Sequence, residues 1–109
     1  MKILTDCFGR HVRITNERLT HILERPELRG MSLEIEVVLR QPQFARLSRS
    51  DAGVRLFYGF YPETMVGGKW LCVVVKYDEA DAFVVTAYLT NRPKPGEEIW
   101  PISESLVVT

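Results

Sequence analysis

The sequence predicts an α+β fold: a short N-terminal strand and two helices packed on one face of a four-stranded antiparallel sheet. Three observations predict it. Two amphipathic stretches with helical spacing occupy the chain up to Pro42. Four strand-like runs follow, and Trp70 to Tyr77 and Ala82 to Thr90 are apolar almost throughout. The links between these runs are short and rich in turn residues, which favours sequential antiparallel pairing over crossovers.

Each element has a local cause. Arg10 to Ile14 alternates as a short strand does. Thr15 is a good helix N-cap, Glu17 suits the first turn, and Ile14 and Leu19 stand where a hydrophobic staple closes. This helix presents Leu19, Ile22 and Leu23 and runs to about Arg25, where Pro26 stops it. A second helix begins after Ser32, buries Ile35, Val38 and Leu39, and ends before Pro42. The four strands are about Phe44–Arg49, Val54–Tyr61, Lys69–Tyr77 and Ala82–Thr90. Ser50-Asp51-Ala52-Gly53, Val66-Gly67-Gly68 and the acidic turn Asp78–Asp81 punctuate them. The tail 102–109 reads as an edge strand or a loose end.

A length of 109 residues fits one domain, 1–109, and no linker or repeat divides it. No apolar run approaches the ~20 residues of a membrane span, and the polar start does not resemble a secretory signal. Cys7 and Cys72 are the only cysteines, and Cys72 reads as a small buried hydrophobe rather than half of a disulfide. A cytoplasmic protein is expected. The formal net charge is zero, which argues against strong non-specific nucleic-acid binding. Charge is nevertheless uneven: ten Lys and Arg against seven Asp and Glu through Phe60, and four against seven after it. Arg40, Arg46, Arg49 and Arg55, opposed locally only by Asp51, form an excess that can engage phosphate, although a solvated face is the commoner meaning of such a run.

Strand alternation groups the chemistry-bearing side chains. If Phe83, Val85 and Ala87 face the helices, Thr86 and Tyr88 face away, and so do Lys76, Tyr58, Arg46 and Ser48. Leu56, Trp70, Cys72 and Val84 share that face, so it reads as a groove with an apolar floor and a polar end. The same parity sends Arg49 to the other side. A polar group on a central strand is either bonded or used, so Lys76 and Thr86 have a structural reading, satisfying each other or the backbone, beside the functional one. His21 falls beside Arg18 and Arg25, away from the helix's apolar stripe, as a surface residue or one reaching over the helix edge into a site. His11 has no companion that singles it out. Two isolated His and two isolated Cys offer no metal-ligand spacing, and no phosphate-cradling glycine loop or dinucleotide fingerprint occurs. Asp51, Asp78, Glu79 and Asp81 read as solvated turn carboxylates.

The ordered set ITNERLTHILERPEL, VVLRQP, SRSD, VRLFYGFYP, KWLCVVVK, FVVTAYLTNR and IWP resembles a family of small phage-associated proteins assigned to the barnase–EndoU–colicin–RelE group of nucleases. The likeness spans about residues 14–101. Where relatives carry a second His before the helix-ending Pro, this chain has Arg25. The resemblance implies a barnase- or RelE-like curved antiparallel sheet and a toxin-like endoribonuclease that needs neither metal nor cofactor. In such enzymes the 2′-hydroxyl of RNA attacks the adjacent phosphate. It implies His21 as base or acid, Lys76 stabilising the transition state, and Thr86 and Tyr88 bonding phosphate oxygens. Arg46, Arg49 or Arg55 would hold phosphate beside Ser48, and Tyr58 is an alternative proton donor to Tyr88. The partners it implies are an RNA substrate and a cognate antitoxin protein that covers the groove. The competing expectation is a non-catalytic protein- or RNA-binding module.

Overall fold

The apolar run Leu71–Val75 lies at the centre of the sheet. A computed structural model describes residues 1–102, and the tail expectation falls almost wholly outside them. The strands are β1 (Lys2–Thr5), β2 (His11–Ile14), β3 (Phe44–Leu47), β4 (Val54–Tyr61), β5 (Lys69–Tyr77), β6 (Ala82–Thr90) and β7 (Glu98–Trp100). The helices are α1 (Asn16–Leu23) and α2 (Ser32–Arg40), with a single 3-10 turn at Pro26–Leu28 between them.

The Thr15 hydroxyl accepts from the Arg18 amide at 3.0 Å, capping α1. α1 stops at Leu23, short of the expected Arg25, because Arg25 takes up extended backbone ahead of Pro26. α2 starts at Ser32 and buries Ile35, Val38 and Leu39. Both helices pack on one sheet face with Phe57, Leu71, Val73, Val75 and Ala87. Val38 sits directly over Gly59 of β4, where an added Cβ would come within 2.8 Å of its methyl group.

The four-stranded sheet is a misreading of the sequence. The sheet has seven strands in the order β1-β2-β6-β5-β4-β3-β7. It is mixed rather than antiparallel, since β2 runs parallel to β6 at Arg13 and Phe83. The barnase- or RelE-like layout implied by the resemblance is therefore not the one adopted. The physical reason is that β1 and β7, of four and three residues, are fixed by the neighbour each pairs with rather than by a pattern of their own.

A second correction concerns which residues of β6 face the helices. Between Val74 and Val75 of β5 the partners step from Thr86 to Val84, so Val85 is the extra residue of a bulge. Thr86 and Tyr88 keep the expected side, but Val84 joins the helix-side core. Phe83 passes to the other face, where the Arg13 guanidinium lies 5.0 Å from its ring centre.

The turn between β1 and β2 is held by Asp6, the one buried acid among the described residues. Its carboxylate accepts from the amides of Phe8 and Arg10 and from the Tyr77 hydroxyl at 2.6 Å. That bond ties the N-terminal hairpin to β5. No helix among the described residues is long and apolar enough to cross a membrane.

Candidate anion-binding hollow

The sheet face away from the helices holds a second, smaller core of Leu56, Tyr58 and Cys72 flanked by Phe44, Val54, Trp70, Val74 and Tyr88. Register arranges these side chains in rows across the strands. Phe44, Tyr58, Cys72 and Tyr88 form one row, Arg46, Leu56, Val74 and Thr86 the next, and Val54 and Lys76 lie in the third. Over the last two rows opens a hollow of about 410 Å³. Its floor is Val54, Leu56 and Val74, and its rim is Ser48, Arg49, Ser50, Asp51, Thr86, Tyr88, Lys94 and Pro95.

Two pieces of irregular backbone make the rim. The first is the β3–β4 turn. β3 ends at Leu47, so the alternation that would turn Arg49 away stops before reaching it, and Arg49 lies on the rim instead. The Ser48 hydroxyl accepts from the Ser50 amide, and Asp51 closes the turn by accepting from Gly53 N–H at 2.9 Å. The second is the stretch from Pro93 to Gly96, which crosses from β6 to β7 over the Tyr58 row. Lys94 N–H donates to the Tyr58 hydroxyl at 3.0 Å, and the Arg46 guanidinium donates to the Lys94 carbonyl at 2.9 Å. At Gly96 an added Cβ would fall inside the Leu47 carbonyl oxygen, so only glycine lets the strap lie this close to β3.

The electrostatics are set by burial and by one ion pair. The Tyr88 hydroxyl is buried beside the Cys72 thiol and the Tyr58 hydroxyl, with no well-aligned hydrogen bond among the described residues. Burial, and after it the neighbouring Cys72 thiol, pushes its ionisation far above the ordinary phenol value, so Tyr88 stays a neutral donor. Burial likewise raises Tyr58 to about 12 and the Cys72 thiol to about 11. The Lys94 ammonium stands 5.8 Å from the Tyr88 ring centre. Lys76 points at the turn, its ammonium 2.7 and 2.9 Å from the two Asp51 oxygens. That bond, followed by the one from Gly53, holds Asp51 below the ordinary carboxylate value of 3.8.

The structure thus brings Ser48, Arg49, Thr86 and Tyr88 together around one hollow, with Lys76 at its border and Tyr58 beneath the strap. Arg46 lies on the same face, but it stacks 4.6 Å over Phe44 and holds the strap. Arg55 faces the other way, 4.3 Å from the Tyr77 ring centre and 5.0 Å from that of Phe8, in a separate hollow with Arg10, Leu47 and Ile99. His21 lines a third hollow built only from residues of α1 and its flanks, and it shares no residue with the first. Arg25, where the resemblance calls for a second His, donates to the Ala87 carbonyl of β6 at 3.1 Å.

Asp51 and Lys94 escaped the sequence reading. Asp51 looked like any turn acid, and only the folded register brings Lys76 to it. The signal for Lys94 is its setting between Pro93 and Pro95, which stiffens the strap that carries it. Among the described residues no group of three or more His, Cys, Asp or Glu is placed to hold a metal ion. No family model matches the chain, and neither do any curated protein or solved structure.

Proposed function

We propose that the hollow takes a phosphate of RNA and that the chain cleaves the strand there by attack of the adjacent 2′-hydroxyl. The observation that carries this reading is a hollow rimmed by two cationic side chains, Arg49 and Lys94, that stand in no ion pair among the described residues, with the hydroxyl residues Ser48, Thr86 and Tyr88 beside them. Arg49 and Lys94 offset phosphate charge, while Ser48, Thr86 and Tyr88 donate to its oxygens as charge builds in the phosphorane. The nucleophile belongs to the substrate, and the Lys94 ammonium is the proton source for the departing 5′-oxygen.

Purified full-length protein with end-labelled single-stranded RNA in excess EDTA tests the reading. Cleavage should leave 2′,3′-cyclic phosphate ends and should spare a substrate whose 2′-hydroxyl at the cut site is replaced by hydrogen. Tyr88→Phe should slow cleavage by about 10²–10³-fold with little loss of thermal stability, because the deleted hydroxyl makes no well-aligned hydrogen bond among the described residues. If single-stranded RNA, tRNA and ribosome-bound messenger all stay intact, cleavage is ruled out.

The second reading is a non-catalytic RNA- or protein-binding module. It is favoured by the ion pair that occupies Lys76 and by the absence of an imidazole from the hollow's lining. A cognate antitoxin lying over the hollow fits the first reading, and growth arrest on expression, relieved by that partner, would accompany it.

A further inference from the structure

Among the described residues Asp51 is the only carboxylate lining the hollow. The other polar groups of the rim are neutral hydroxyls or the cations Arg49 and Lys94, and the cations have no acceptor capacity. The turn fixes the Asp51 side chain: Oδ1 accepts from Gly53 N–H and from Lys76, whereas Oδ2 accepts only from Lys76. A carboxylate oxygen has two lone-pair positions, so Oδ2 keeps one for an incoming hydroxyl. Gly53 makes room for this arrangement, since a Cβ there would lie 3.1 Å from the Lys76 nitrogen and 3.0 Å from the Tyr77 carbonyl oxygen.

We propose that Asp51 is the proton acceptor for the attacking 2′-hydroxyl, with Lys76 as its positioning residue; this rests on the RNA-cleavage reading. In the step, the 2′-hydroxyl proton moves to Oδ2 and the 2′-oxygen bonds to phosphorus. The bond from phosphorus to the 5′-oxygen breaks, and the leaving oxygen takes a proton from Lys94. Water then returns a proton to Lys94 and receives one from Asp51, so nothing is consumed. Lys76 weakens Asp51 as a base but fixes its aim, which a turn acid without a partner would lack.

Lys76 from β5 is bonded to Asp51, and the other charged residues lining the hollow, Arg49 and Lys94, are also cations. They favour the charged carboxylate, so activity should not fall with acidity until the pH drops below the ordinary carboxylate value of 3.8. An imidazole base would instead give an acid limb near pH ~6.5.

The test measures kcat/KM for RNA from pH 2.5 to 8 with wild type, Asp51→Asn, Lys76→Gln and His21→Ala, beside binding of an uncleavable 2′-deoxy strand. Wild type and His21→Ala should show no acid limb near neutrality. Lys76→Gln should show one at higher pH than wild type. Asp51→Asn should lose about 10²–10⁴-fold in kcat while binding the deoxy strand at least as tightly, because an anion has been removed. Asn retains an acceptor for Gly53 N–H, and thermal melting checks the fold. If Asp51→Asn cleaves within threefold of wild type while Tyr88→Phe does not, the role of Asp51 falls and the RNA reading stands. An acid limb that vanishes in His21→Ala also removes Asp51 from the role. A wild type that never cleaves overturns both.

Discussion

At the scale of single residues, the four tyrosines show how burial sets chemistry in this chain. Tyr58, Tyr61, Tyr77 and Tyr88 are all held above the ordinary value of 10.0, first by burial in every case. Tyr77 is raised further by its bond to the Asp6 carboxylate, which a phenolate would repel. A group that resists ionising in the folded state binds more protons there than in the unfolded chain at the same alkaline pH. Its contribution to stability is therefore complete below pH 10 and is lost as pH rises beyond it. The prediction is that phenolate absorbance at 295 nm stays low in the native protein at pH 10 and rises together with unfolding, while the melting temperature falls from pH 9 to 11. A tyrosine that ionises near pH 10 without any change in melting would contradict this.

At the scale of elements, helix–sheet contact depends on a missing side chain. Val38 of α2 is β-branched and buried, so it has little freedom to move aside when a methyl group is added beneath it at Gly59. Gly59→Ala should cost about 1–3 kcal/mol by overpacking, measured by denaturant unfolding. A neutral result would mean that α2 rides higher on β4 than described. The elements also show what was legible in the sequence. α1 was legible because Thr15, Ile14, Leu19 and Pro26 are local signals, and β4 to β6 were legible because long apolar runs carry their own periodicity. β1 and β7 were not, since each is defined by the strand it pairs with rather than by its own residues. The Val85 bulge was hidden for the same reason: nothing in FVVTAY marks the residue that loses its partner. The grouping of Thr86 and Tyr88 was reachable because those positions lie on the near side of the bulge, and that of Ser48 because it follows directly on the last residue of β3. Asp51 and Lys94 come from a turn and a strap, where alternation has no force.

At the scale of the whole molecule, the sheet separates two environments. One face is closed by α1 and α2, and the other is, among the described residues, partly covered by the strap, which leaves the hollow open beside a short apolar core. Zero net charge does not prevent anion binding, because the hollow has its own balance. Arg49 and Lys94 stand free of ion pairs among the described residues, whereas Lys76 and Asp51 neutralise each other. Such a local site should weaken with salt less steeply than a broad basic surface, since few phosphates are engaged. The proposed function requires RNA to bind at this hollow, and backbone amide chemical shifts on titration with an uncleavable 2′-deoxy single strand measure that directly. The predicted result is a set of shifts at Ser48–Asp51, Thr86, Tyr88 and Lys94 with the amides around His21 unmoved. Shifts concentrated on α1 or around Arg55, or none at all, would contradict it.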